Sequence, residues 1–217
     1  MTRREELPLD LMISPFRYEG EKDDTFLKQY SQVQLAFQTA CRAHDGQVDK
    51  GGRAYIYHPL SVCYILDGVS PYDDRLLDDG FFTTPILLRT AQQCILMTTA
   101  LLHDVLEDTD VTAEDLASIG ICPAVIEHIL MLTHKKSQRY DYYLNSLRED
   151  SQACLIKVAD MLHNSNLKRT KEPTKLLKQW RERYIRGVCE LWPLLKAYGV
   201  EHKIQLPDIE EFRDLNK

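Results

Sequence analysis

The stretch LLHDVLEDTD, Leu101 to Asp110, sets His103 beside the carboxylates Asp104, Glu107, Asp108 and Asp110. It closes an apolar segment, Ile86 to Leu102, that reads as an interior helix, and no loop signal separates the two. One helix from Pro85 to about Asp108 is therefore expected, with His103 beneath Glu107 and Asp104 beneath Asp108 on shared faces. Carboxylates packed this closely repel one another and are costly to bury. A bound divalent cation is the simplest remedy, because it offsets their charge and takes the imidazole as a neutral ligand. The alternative is a solvated helix end running into the N-cap of the next helix.

Two further helical segments each carry a polar group on an otherwise apolar face. His58 stands at the start of YHPLSVCYIL, and Asp160 lies in the middle of IKVADMLHN. With His103 and Asp104 they make a two-histidine, two-aspartate set, suited to a borderline cation such as manganese, iron or zinc. Each also has a plain structural explanation. His58 could bond to backbone at a helix start, and Asp160 could pair with Lys157 one turn earlier. Spacing alone leaves both readings open.

The elements that must position these groups read as helices. Apolar residues recur at helical spacing from Thr25 to Ala43, and HDGQVDKGGR then ends that helix near His44 with three glycines. Pro59 fits the first turn of a helix running to about Leu66. Asp67 to Thr84 is an acidic, turn-rich connection with apolar Phe81 and Phe82, which could cover the site or only decorate the surface. Thr109 to Thr112 can cap a short helix ahead of Leu116. Further helices are expected from Pro123 to Leu132, Tyr140 to Leu147, Ser151 onward and near Lys175 onward. The last has Trp180, Tyr184, Val188 and Leu191 inward, and Pro193 should end or kink it. No segment alternates with period two between hairpin turns. The expected architecture is all-α, a helical bundle filling one domain from residue 25 to 217, preceded by a loosely held arm, residues 1–24. Leu11, Met12, Ile13 and Phe16 of that arm could dock on the domain.

Composition narrows the function classes. A formal charge of −6 argues against non-specific nucleic-acid or membrane binding, which needs a basic surface. MTRREELPLDLM has no apolar core for a signal peptide, and no apolar run approaches membrane length. Six cysteines fall singly with no CxxC pair, as buried thiols in a reducing cytoplasm do.

The stretches YIYHPLSVCYIL, TALLHDVLEDTDVTAEDL and IKVADMLHN resemble, in order, the successive motifs of RelA/SpoT-type HD-domain hydrolases. The small stand-alone members of that family share them. The similarity is collinear from about Ala36 to Leu167. It implies an HD-domain helical bundle with metal ligands His58, His103, Asp104 and Asp160 around one divalent ion, manganese in this family. It implies that Glu107 and Asp108 organise the attacking water, that Lys50 meets substrate phosphates, and that Asn164 lies beside the nucleoside. Family chemistry is removal of the 3′-pyrophosphate from (p)ppGpp. Some relatives act on adenosine alarmones or on the phosphate of NADPH, and neutralising a toxic synthetase is a role that the same hydrolysis would serve. A second His-Asp pair, His44-Asp45, matches a family position that is not a metal ligand, so His44 is expected to be structural.

Simple chemistry is consistent with that assignment. Four protein ligands leave a six-coordinate ion positions for water and a phosphate oxygen. Glu107 can accept the water's proton, a contribution of about 10²–10⁴-fold. Lys50, Arg42 and Arg53 flank the site from the glycine loop, whose backbone amides can cradle phosphate.

The chain departs from the family pattern in three places. Asp49 stands where the family has an arginine that stacks on the base; a carboxylate cannot stack, but could accept hydrogen bonds from a base edge. Met161 replaces an arginine, and Asp67 to Thr84 is longer than its counterpart. Two other readings are a phosphatase for another nucleotide such as NADPH and a degenerate domain that only binds a nucleotide or a partner protein. The joint presence of all four ligands with Glu107 and Asp108 argues against the second.

Overall fold

A computed structural model describes residues 14–19, 23–78, 80, 82, 84–170 and 174–202, with side chains described to residue 195. Leu11, Met12, Ile13 and Phe81, and the chain beyond residue 202, lie outside the described residues.

The chain forms a helical bundle. Helix α1 (Asp24–Ala43) starts where the Asp23 side chain accepts from the Phe26 amide at 2.6 Å and ends with His44 as its C-cap. Its buried stripe, Phe26, Val33, Ala36, Phe37 and Ala40, follows the helical repeat and packs on α3. Helix α2 (Tyr57–Leu66) is buried at every position, lying between α3 and α8. A helix apolar all round can only sit at the centre, so whatever polar group it carries is delivered to the interior.

The expected long helix from Pro85 to Asp108 is instead three elements: strand β2 (Ile86–Leu88), helix α3 (Ala91–Leu102) and the single turn α4 (Val105–Asp108). Two local competitions explain this. Thr90 and Gln93 form a reciprocal capping box, which starts α3 six residues later than Pro85 would have. Ile86–Leu88 then pairs in parallel with β1 (Phe16–Tyr18), register Phe16 to Ile86. Phe16 is fully buried, so this part of the expected loose arm is built into the domain. At the other end the Ala100 carbonyl, which a continuing helix would offer to the Asp104 amide, receives a hydrogen bond from His103 Nδ1 at 2.7 Å.

The remaining helices start close to where the sequence places them, although Asp150 rather than Ser151 caps α8. They are α5 (Ala113–Ser118) after the Thr112–Asp115 capping box, α6 (Pro123–Leu132) with proline in its first turn, and α7 (Tyr140–Ser146). Helix α8 (Ser151–Ser165) is capped by Asp150 and followed by a 3₁₀ turn, Leu167–Arg169. Helix α9 (Lys175–His202) packs along α8 and carries Pro193 inside it, so of the two expected effects, an end or a kink, the proline does not produce an end. Val188 and Leu191 face the core, as expected, whereas Trp180 and Tyr184 are only half-buried. Among the described residues all six cysteines are free thiols, and no helix is long and apolar enough to cross a membrane.

The described residues of the connection from Asp67 do not cover the polar cluster. Phe82 is buried behind α2, where its carbonyl and that of Thr84 accept from the Tyr64 hydroxyl. Pro71 O accepts from Asn166 Nδ2, and Asp74 pairs with Lys168. No described residue of this connection lines the cleft above the cluster.

Candidate metal centre and cleft

The first turn of α2, the α3–α4 break and the middle of α8 meet at one point. His58 Nε2 lies 3.2 Å from Asp104 Oδ2 and 3.2 Å from Asp160 Oδ1. His103 Nε2 lies 3.1 Å from Asp104 Oδ2 and 3.8 Å from Asp160 Oδ1. Ligand atoms of His58, His103 and Asp104 fall within 4.8 Å of one another, a cluster able to hold a metal ion.

His103 supplies the test of fit. The Ala100 carbonyl can only accept, so His103 Nδ1 carries the proton and Nε2 presents a lone pair to the cluster. That Nε2 is buried and has no hydrogen-bond partner among the described residues. A buried lone pair facing two carboxylates is the arrangement a divalent cation satisfies. Burial alone would lower the His103 pKa, but Asp104 and Asp160 outweigh it and raise it to about 10, so a proton holds Nε2 until a cation displaces it. Burial likewise opposes the charge on Asp104, yet His103 and His58 hold its carboxyl well below the usual range. Asp160 is held down in the same sense, chiefly by Lys157. The cluster is thus a sink for positive charge.

Both structural alternatives raised for Asp160 and His58 are informative. Asp160 does pair with Lys157, Nζ to Oδ2 at 2.8 Å, but it turns Oδ1 to the histidines. His58 bonds through its ring to side chains: its Nδ1 lies 2.7 Å from Nδ1 of His163, another fully buried imidazole. Burial and the Arg169 charge depress the His163 pKa, which keeps it neutral. His44 stays out of the cluster. Its Nδ1 bonds Gln47 at 2.9 Å and its ring stacks on Tyr55 at 4.5 Å, the structural role expected of it.

Above the cluster opens a cleft of about 430 Å³, within the range of small-molecule sites. Glu107 and Asp108 line one wall. Glu107 accepts from the His134 amide at 2.9 Å. Loss of water within the cleft raises its carboxyl above the ordinary value, although its own surface remains exposed. The Tyr55 hydroxyl lies 2.7 Å from Asp104 Oδ2 and 3.0 Å from Asp108 Oδ2, sharing one proton between them.

Lys50 lines the cleft, its ammonium 4.7 Å from the Trp180 ring centroid and 5.5 Å from that of Tyr184. Asn164 also lines it, but its Nδ2 is donated to Asp160 and its Oδ1 accepts from Arg169 at 3.1 Å. Arg42 is exposed at the end of α1 and is not among the lining residues. Arg53 is turned away as well, 4.5 Å above the Tyr57 ring with Nη1 on the Leu76 carbonyl.

Asp49 lines the cleft, but its carboxylate is turned to Arg169, where Oδ2 accepts from Arg169 Nη2 at 2.8 Å and both side chains are nearly fully buried. Its Oδ1 takes the amides of Gly51 and Arg53 at 2.8 and 3.0 Å. Those are the loop amides expected to cradle phosphate, and the chain's own carboxylate occupies them. The loop lies so close to the 3₁₀ turn that a Cβ on Gly51 would sit 2.2 Å from the Arg169 carbonyl oxygen. Met161, in place of the family's arginine, is fully buried in the core against Tyr140.

Sequence reasoning missed much of the cleft wall. Tyr55, His134, Tyr140, Lys157, Arg169, Trp180, Arg183 and Tyr184 all line it. Trp180 and Tyr184 have the spacing of core residues on an amphipathic helix, which carries no signal of a cleft wall. Arg183 sits 3.5 Å from the Tyr140 ring centroid.

No family model matches the chain. Over 193 residues, 83% of this chain, it is 27% identical to the bifunctional (p)ppGpp synthase/hydrolase SpoT of Escherichia coli K12, covering 24% of that protein. It is 31% identical over 153 residues, 66% of this chain, to the guanosine-3′,5′-bis(diphosphate) 3′-pyrophosphohydrolase of Spiroplasma citri, covering 17% of it. The chain thus spans about a quarter or less of the length of these curated relatives. A solved structure of a metazoan ortholog of SpoT, described as hydrolysing ppGpp, matches with a TM-score of 0.49 and 21% identity over 85% of this chain and 98% of that one. The chain is thus similar in sequence to one part of the SpoT-type (p)ppGpp hydrolases.

Proposed function

We propose that this chain is a metal-dependent phosphohydrolase that removes the 3′-pyrophosphate from (p)ppGpp or a related purine alarmone. The observation that carries the proposal is the convergence of two imidazoles and two carboxylates from α2, α3–α4 and α8 on the floor of a cleft lined by Lys50, Lys157 and Arg183. His58, His103, Asp104 and Asp160 would hold one divalent ion, which the resemblance implies is manganese. When bound, the ion acidifies water and offsets charge on the phosphoryl group.

The chain's own residues do the rest. Glu107 accepts the proton of the attacking water, its raised pKa bringing it nearer to a useful base at neutral pH. Asp108 and Tyr55 hold Asp104 in place through the shared hydroxyl proton. Lys50 leaves the Trp180 face to meet the substrate phosphates, and Lys157 keeps the Asp160 side of the cleft from being uniformly anionic. Purified protein with manganese should release pyrophosphate from ppGpp or ppApp; NADPH and ordinary nucleotides are the comparison substrates. Phosphate release from NADPH, with neither alarmone turned over, would reassign the site to that cofactor. No turnover of any of them by metal-loaded protein would refute the hydrolase reading.

A further inference from the structure

His163 has no place in the ligand set or in the cleft lining, yet it is one of the most enclosed polar groups in the protein, 2% exposed. It lies on α8, one turn beyond Asp160, with its Nδ1 2.7 Å from Nδ1 of His58 and the two rings 5.0 Å apart at 17°. Two ring nitrogens at that separation share a single proton, since a proton on each would clash and none would leave two lone pairs opposed.

Which ring carries it decides what His58 offers. If His163 donates, neutral His58 must carry its own proton on Nε2, aimed at Asp104 Oδ2 and Asp160 Oδ1, both 3.2 Å away. If His58 donates, its Nε2 turns a lone pair to the same point that the buried lone pair of His103 faces. Only the second form matches His103, which is fixed in the corresponding state by the Ala100 carbonyl.

We infer that His163 is a positioning residue that accepts the His58 Nδ1 proton and so holds His58 in the tautomer whose Nε2 is free to bind the metal. It does for α2 what the Ala100 carbonyl does for the α3–α4 break. The inference rests on the metal reading above but not on the substrate or on hydrolysis, and its test is metal affinity rather than turnover.

Metal-free wild type, His163→Leu and His163→Asn are titrated with manganese and with zinc against a competing chelator, after circular dichroism has confirmed folding. Leucine removes the acceptor and should weaken binding by about 10–100-fold, the usual cost of losing such a partner. Asparagine places its Oδ1 where Nδ1 was and should restore affinity to within about threefold of wild type. A folded leucine variant with wild-type affinity overturns the inference, as does equal weakening by leucine and asparagine, which would mark a packing effect. Should the variants not fold, ¹⁵N-histidine spectra of zinc-loaded wild type decide it. A proton on His58 Nδ1 and a bare His163 Nδ1 support the inference, and the reverse overturns it. Wild type that takes up neither ion would sink the metal reading itself, and this inference with it.

Discussion

Replacing Asp49 by asparagine should destabilise the whole domain. The Asp49 and Arg169 side chains are 3% and 5% exposed, so the pair lies out of water. An asparagine keeps the shape and can still accept from the Gly51 and Arg53 amides through Oδ1. Its NH₂ then faces the Arg169 guanidinium, donor against donor, and leaves that charge buried without a counter-ion. Removing one partner of a buried ion pair costs about 3–5 kcal/mol. For a chain of this size that lowers Tm by about 6–20 °C. The pH dependence adds a second signature. Burial pushes the Asp49 carboxyl up, but the Arg169 charge and hydrogen bond, with the two amides, outweigh it and hold its pKa below the ordinary value. Its stabilisation is therefore fully present above the unfolded carboxylate pKa of about 3.9. It is lost as pH falls through the lower folded value, and the wild-type and Asp49→Asn curves should converge there. Denaturant unfolding at neutral and acid pH, with an Asp49→Leu/Arg169→Leu double-mutant cycle, measures both effects. An Asp49→Asn protein as stable as wild type at pH 7, altered only in substrate KM, would show that the carboxylate faces substrate after all.

Three further outcomes test the site. His103→Ala and Asp104→Ala should each lose bound metal and activity together, read by metal analysis of the purified proteins; full occupancy in both would sink the ligand assignment. Glu107→Gln should lower kcat by about 10²–10⁴-fold with metal content retained. It should also abolish the acid limb of the wild-type rate profile, which rises with pH through a pKa above the ordinary glutamate value; an unchanged kcat would return Glu107 to a solvated wall. Gly51→Ala sets a methyl against the Arg169 carbonyl, a backbone atom that cannot step aside, so the loop and Lys50 must shift. KM should rise with metal affinity unchanged, and an unaltered KM would mean that Lys50 is placed independently of this contact.

What the sequence makes legible depends on how far apart the interacting residues lie. Helix starts were readable because their caps are local: Thr112 with Asp115, Pro123 in the first turn of α6. The cluster was readable because histidine and aspartate on apolar helix faces have few other reasons to be there. The break at His103–Asp104 was not, because an apolar run carries no sign that His103 Nδ1 will take the Ala100 carbonyl. Nor was the pairing of Ile86–Leu88 with Phe16–Tyr18, since a short apolar run fits a buried strand as well as a helix turn. Asp49 is the sharpest case. An aspartate in a glycine loop has the same local signature whether it awaits the edge of a substrate base or a guanidinium of its own chain. The deciding partner, Arg169, lies 120 residues away, just past the helix that carries Asp160. The same distance gives the pairing its consequence. Through Arg169 and Asn164, the loop that presents Lys50 is hydrogen-bonded to Asp160 itself. The loop that carries Lys50 and the cluster of His58, His103, Asp104 and Asp160 therefore share one buried polar chain.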